Sequence, residues 1–232
     1  MEYRVEKKFL CTDQQLQVLQ ARLSTIMYYD QNQENRMQYQ IRSIYFDTYG
    51  GQFFFENDAG IDDRKKYRIR AYNCNKEFIR LEVKSKVHGY THKEQCQVTQ
   101  DLYRQLVNGK MPDYQREFPK AMNEFYLEMA QHLLHPVAII EYERTAFVYP
   151  EGNVRITFDR NIAVSRELEA FWNNDLEVCP IMGTGQHILE VKYDEFLPDT
   201  IAQLLEIGSL QQTTFSKYYM ASLFLRGERI FN

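Results

Sequence analysis

Apolar and polar residues alternate with a two-residue period in several separate runs of this chain, the pattern of half-buried β-strands. In residues 3–10, Arg4, Glu6 and Lys8 share a face opposite Val5 and Phe9. Residues 39–47, YQIRSIYFD, read as a second strand. From Lys65 to Lys93 the chain reads as a meander of three strands with turns at Asn73–Lys76 and at Gly89. Its first strand puts Arg68, Arg70 and Tyr72 on one face, its second puts Glu82, Lys84 and Lys86 there, and its third brings in Lys93. Further strands are expected at 137–150, at 154–160 after an EGN hairpin turn, and at 187–196.

Between them the period changes to that of helices. Thr12 or Asp13 caps a helix carrying Leu16, Leu19, Leu23 and Ile26. Others are expected near 99–108, stopping at Asn108-Gly109, and near 118–133, where Phe118, Met122, Phe125, Met129 and Leu133 form one stripe. Two more run from Pro198 to about Ile207 and over about 215–226. Residues 49–57 read as a short helix or turn, 29–38 as a polar loop, and 165–185 as irregular. With no linker or low-complexity segment, residues 1–232 read as a single domain.

Composition narrows the function. The net charge of −4 gives no support to a basic nucleic-acid surface. Cys11, Cys74, Cys96 and Cys179 are scattered, which argues against a zinc site or disulfide framework and fits a reducing compartment. The charged start MEYRVEKKF does not read as a secretory signal, and no apolar run approaches the roughly 20 residues of a membrane span, so a cytoplasmic protein is expected.

The charges are segregated by face. The polar strand faces carry ten cations, Arg4, Lys8, Arg68, Arg70, Lys84, Lys86, Lys93, Arg144, Arg155 and Lys192, against four carboxylates, Glu6, Glu82, Asp159 and Glu190. That is +6 on these faces and −10 on the remainder. Two arrangements fit: a charged face turned to water, or a sheet closing on itself with its charges pointing into a lumen. Arginine forks suit phosphate oxygens, and a triphosphate with a divalent cation accounts for many cations beside few carboxylates. No GxxxxGK[ST], GxGxxG or HExxH occurs, so phosphates must be held by side chains.

Arg4-x-Glu6-x-Lys8, SIYFDT (43–48), YRIRAY (67–72), LEVKSK (81–86), ERTAF (143–147), VRITFD (154–159), ILEVK (188–192) and FSKY (215–218) follow the order of the VTC domain. That is the polyphosphate polymerase domain of the vacuolar transporter chaperone family, among the triphosphate tunnel metalloenzymes, and the chain resembles it from about residue 2 to 225. The resemblance implies an α+β fold, an antiparallel β-barrel forming a cation-lined tunnel with helices outside. It implies that Lys8, Arg68, Arg70, Lys84, Lys93, Arg144, Arg155 and Lys217 bind phosphate oxygens, with Lys8, Arg68, Arg70, Lys84 and Glu190 catalytic. Glu190 would hold Mn2+ or Mg2+, with Glu6 and Lys192 as helpers. The implied reaction moves the γ-phosphoryl group of ATP onto a growing inorganic polyphosphate, and nucleic acid and direct membrane insertion have no part in it.

Two departures qualify the resemblance. Hydrolytic members of the superfamily begin Glu-x-Glu-x-Lys, whereas Arg4 stands first here, which favours a polymerase over a hydrolase of tripolyphosphate or an organic triphosphate. The SPX domain and membrane segments of the eukaryotic complexes are missing, so coupling to transport would need a separate membrane partner. A non-catalytic polyphosphate- or nucleotide-binding module remains a third reading. Plainer readings stand beside these roles: Arg68 and Arg70 as cross-strand partners of Glu82, Glu190 as an ion-pair partner of Lys192 or Arg155, and Lys217 as a snorkelling lysine. His88 and His92 read as turn and surface residues, and Asp47 as a turn or helix cap.

Overall fold

The structure is a computed structural model, in which residues 4–30, 38–88, 90–208 and 210–228 are described. Most of the polar loop expected at 29–38, and the turn residue Gly89, lie outside the described residues.

In chain order the strands are β1 (Val5–Thr12), β2 (Tyr28–Tyr29), β3 (Tyr39–Asp47), β4 (Arg64–Tyr72), β5 (Ile79–Val87) and β6 (Tyr90–Val98). They continue with β7 (His135–Tyr149), β8 (Val154–Ser165), β9 (Cys179–Pro180), β10 (Gln186–Tyr193) and β11 (Gln211–Gln212). The helices are α1 (Asp13–Leu23), α2 (Gln52–Asp58), α3 (Gln100–Val107), α4 (Lys120–His132), α5 (Asp199–Leu205) and α6 (Lys217–Arg226). All strands join one antiparallel sheet in the order β11-β1-β10-β8-β7-β3-β4-β5-β6, with β2 on β7 and β9 on β8.

Local chemistry accounts for the boundaries. Thr12 is the cap of α1, in a reciprocal pair with Gln15, and Leu16, Leu19 and Leu23 are buried beneath it; Ile26 lies past the helix end. The stripe on α4 buries Met122, Phe125 and Met129, but Leu133 turns out to be the left-handed cap residue and is 64% exposed. The β7–β8 connection is a single 3-10 turn at Glu151–Asn153. Gly152 is required there, because its φ is +68° and a Cβ would come within 2.6 Å of the Phe196 carbonyl.

Apolar side chains lie on the helix-covered side of the sheet. One cluster joins β3, β4, β5 and β7 to α2, α3, α4 and α6, and a second joins β1, β8 and β10 to α1 and α5. The opposite face is polar and concave. Five strands separate β1 from β5 in the sheet order, so six spacings of a flat sheet would hold them about 29 Å apart. Yet Lys84 of β5 lies 3.3 Å from Glu6 of β1. Irregularities at Tyr45/Phe46 and at Glu141/Glu143 add local bending.

The antiparallel sheet and the outer helices match expectation, but the closed barrel does not appear in the backbone ladder. The hydrogen-bonded order ends at β11 and β6 with no pairing between these edges among the described residues. Side chains, not backbone bonds, meet across the two flanks.

Asp47, 2% exposed, is the joint between the sheet and two helices. Gly51 offers α2 no side-chain cap, and the Asp47 carboxylate accepts the Phe53 and Phe54 amides instead, at 3.0 and 3.2 Å. It also accepts the Tyr218 hydroxyl from α6. Asp47→Ala should therefore lower the unfolding free energy by about 3 kcal/mol in urea titration, with Asp47→Asn recovering part of the loss.

Candidate anion site

The strand pairings set most of the expected residues on the concave face, in three connected clusters. At the β4–β5–β6 flank, Glu82 is 1% exposed and serves as hub. Arg68 binds its Oε2 through Nε and Nη2 at 2.7 and 2.6 Å, Arg70 stands 3.8 Å from the same oxygen, and Lys93 donates to Oε1 at 3.2 Å. Burial pushes the Glu82 carboxyl up, but Arg68, Arg70 and Lys93 outweigh it and hold it well below the carboxylate range.

The second cluster joins β1, β10 and β5. Lys192 lies 2.7 Å from Glu190 and 3.2 Å from Glu6. Lys8 lies 3.2 Å from Glu6 and 3.9 Å from Glu190, and Lys84 completes the group through Glu6. Burial and the neighbouring Glu190 push Glu6 up, but Lys84, Lys192 and Lys8 prevail and bring it to about 2. Lys84 itself falls to about 8, chiefly through burial. Glu190 is likewise held well below the usual range: burial opposes, and Lys192, Lys8, Arg144 and Lys217 overcome it.

The third cluster is Asp159 with Arg144 and Lys217. Arg144 grips both carboxylate oxygens from Nε and Nη2, at 2.6 and 2.7 Å, and Lys217 reaches in from the start of α6. Lys8 also donates to the Phe215 carbonyl at 3.0 Å, so the segment leading into α6 is tied to the concave face. Arg155 lies at the rim, bonded to Asp30 at 2.7 Å and to the Tyr39 hydroxyl at 3.3 Å.

Arg4 does not join the clusters; it pairs with Asp194 at 2.9 Å, beyond the end of β1. Lys86 stands opposite Arg64 at the far end of β5. His88 and His92 are exposed, paired with Asp62 and Glu94 as turn and surface residues. Asp47 caps α2, as one of its two readings had it.

Sequence reasoning missed several groups that the fold adds. Tyr45 accepts from Arg68 at 2.7 Å, and Tyr142 and Ser43 accept from Arg70 at 3.1 and 3.2 Å. Lys66 is on the same face, two residues before Arg68, where the alternation already placed it. Thr157 is 2% exposed, stands opposite Glu190 in the β8–β10 register, and its Oγ1 has no hydrogen-bond partner.

No trio of His, Cys, Asp or Glu that could cage a metal occurs among the described residues. The donors present are of another kind. Glu6 and Glu190 share the Lys192 ammonium between them, and the orphaned Thr157 hydroxyl faces Glu190. Such hard oxygen donors fit a divalent cation held mainly by a ligand's phosphates, the usual manner for magnesium. A cavity of about 1050 Å3 opens elsewhere, between α3 and residues 166–173, and none of the expected site residues lines it.

The VTC domain profile matches residues 3–226. No functionally curated protein matches the chain at a significant level. Among solved structures, the fold is similar to a Bacillus halodurans protein described as a candidate adenylate cyclase, with TM-score 0.51, 11% identity, and coverage of 88% of this chain and 87% of that one. A Pyrococcus horikoshii protein aligns over 97% of this chain and 99% of its own, at 14% identity and TM-score 0.49. At these identities the likeness concerns fold alone. No helix among the described residues is long and apolar enough to cross a membrane.

Asp159 is fully buried between two cations that depend on it. Asp159→Asn should destabilise the fold by about 3–5 kcal/mol, because it strands Arg144 and Lys217 without an anion. Burial opposes ionisation of Asp159, yet Arg144 and Lys217 lower its pKa to about 2. Its stabilisation is therefore complete above the ordinary aspartate value near 4 and is lost as pH falls through about 2. Acid unfolding followed by circular dichroism should show a shallower decline over that window in the variant.

Proposed function

The chain belongs to the VTC-domain family, and on that premise we propose that its concave face is the wall of a triphosphate-binding tunnel serving a metal-dependent, ATP-using polyphosphate polymerase. The observation that carries this reading is the convergence on one curled face of Lys8, Arg68, Arg70, Lys84, Lys93, Arg144, Arg155 and Lys217, drawn from six strands and a helix.

In this reading the arginines take phosphoryl oxygens through their planar forks, and Lys8, Lys84 and Lys192 neutralise the phosphate nearest Glu190. Lys217 and Arg144 reach the chain from the α6 side. A terminal oxygen of polyphosphate attacks the γ-phosphorus of ATP, a new P–O–P link forms, the bond to the β-bridging oxygen breaks, and ADP leaves. Positioning in line and charge neutralisation are the work of these side chains. Glu190, assisted by Glu6 and the Thr157 hydroxyl, would hold Mn2+ or Mg2+, which when bound supplies charge stabilisation to phosphate oxygens.

Polymerisation is favoured over hydrolysis by the engagement of the inward carboxylates among the described residues, which leaves none of them free to take a proton from water. A polyphosphate terminus is already an anionic nucleophile, whereas water must lose a proton. Every inward carboxylate bonded here, Glu6, Glu82, Asp159 and Glu190, is gripped by at least two cations. The residue standing where hydrolytic relatives carry a further carboxylate is Arg4, which points away to Asp194.

Incubation with ATP and Mn2+ or Mg2+, followed by gel separation and polyphosphate staining, should show a ladder of chains with matching ADP. Glu190→Gln should lower chain synthesis by about 100-fold or more while leaving tripolyphosphate binding within a few-fold. Orthophosphate without chains would assign the site to a triphosphate hydrolase. No turnover of ATP or tripolyphosphate with either metal would leave a non-catalytic binder.

A further inference from the structure

The inward lysines differ in what they meet. Lys8, Lys84, Lys93, Lys192 and Lys217 each reach a carboxylate. Lys66 reaches none among the described residues. It stands opposite Lys84 in the β4–β5 register and shares a face with Arg68, so it points to the same concave side. Its ammonium donates to Asn57 Oδ1 of α2 and to Ser216 Oγ, the cap of α6, both at 2.9 Å. Both acceptors are neutral.

The strongest charge effects on Lys66 come from Lys84 of β5, Lys8 of β1, and Arg64 and Arg68 of β4, all cations. A half-buried ammonium among four like charges is costly to ionise unless an anion joins it. Its position meets that need. Ser216 precedes Lys217 at the N-terminal end of the ten-residue α6, where the helix dipole also favours negative charge.

We propose that Lys66, at the start of α6, forms an additional subsite for a phosphoryl group, extending the bound triphosphate or polyphosphate from the Glu6–Glu190 cluster towards the α6 rim. This subsite rests on the phosphate-binding reading above. Its chemistry couples binding to protons. Burial first, and then the four cations, lower Lys66 to about 7. An arriving phosphoryl group raises it again, so binding takes up about half a proton near pH 7, and affinity declines as pH rises above that. Lys66→Arg keeps a positive charge opposite Lys84, so its contrast with wild type isolates the proton taken up by Lys66.

The test is calorimetric titration of the whole protein with inorganic tripolyphosphate near pH 7, in two buffers of different ionisation enthalpy. Lys66→Met should bind about tenfold more weakly than wild type and take up about half a proton less. Lys66→Arg, permanently charged, should keep affinity within about threefold while also losing that proton uptake. Equal affinity and proton uptake in wild type and Lys66→Met would overturn the subsite and leave Lys66 as a tie between β4 and α6. Should Lys66→Met fail to fold, Lys66→Arg decides alone, and undiminished proton uptake sinks the idea. A wild type that does not bind tripolyphosphate would instead overturn the phosphate-binding reading, and the subsite with it.

Discussion

Glu6 is the contact on which the concave face depends. It sits on β1 yet meets Lys84 from β5, on the other flank of the sheet, together with Lys8 and Lys192. Without such an anion, curling the sheet would drive three ammonium groups together in a poorly solvated space. With it, the curl becomes a network in which one carboxylate holds the flanks by side chains where backbone pairing does not. The helices on the convex side complement this arrangement. They bury the apolar faces, so the polar face is left as the inside of the bend.

The other hubs repeat that logic. Glu82 gathers Arg68, Arg70 and Lys93, and Asp159 gathers Arg144 and Lys217. Glu82 and Glu190 stand in the two Leu-Glu-Val-Lys strands, β5 and β10, and each becomes the centre of a cation cluster. The carboxylates are fewer than the cations around them. They offset the repulsion among the cations of this face while leaving it an excess of positive charge.

Much of this was legible because strands impose a strict period. Alternation alone assigned Arg68, Arg70, Glu82, Lys84, Glu190 and Lys192 to one face, and the pair Thr12-Asp13 announced α1, with Thr12 the one that caps it. The same rule reaches Lys66, two positions before Arg68, though its importance depends on which charges surround it, a property of the folded sheet. Curvature was not legible. Nothing in the spacing of Glu6 and Lys84 says that strands so distant in the ladder meet, because that distance is set by twist, bulges and helix packing summed over the whole sheet. Resemblance to a family suggested closure, whereas the ladder remains open between β11 and β6 among the described residues. Thr157 was invisible for a different reason: a threonine in a strand is ordinary until its hydroxyl is seen buried and unpartnered.

Tyrosines share the arginines of this face with the carboxylates. Tyr45 accepts from Arg68, Tyr142 from Arg70, and Tyr39 from Arg155. A phenol oxygen fixes the direction of a guanidinium without adding to the negative charge that Glu82 already brings to Arg68 and Asp30 to Arg155. The ring of Tyr142 also lies 5.3 Å from the Arg144 guanidinium and 4.6 Å from the Lys217 ammonium, a contact that steadies these partners of Asp159 through its face. Burial pushes the Tyr45 phenol up, but Arg68 and Arg70 outweigh it and draw it below the ordinary phenol range. Orientation and neutralisation are thus divided between two kinds of oxygen. Carboxylates bring the cations together, and hydroxyls aim them.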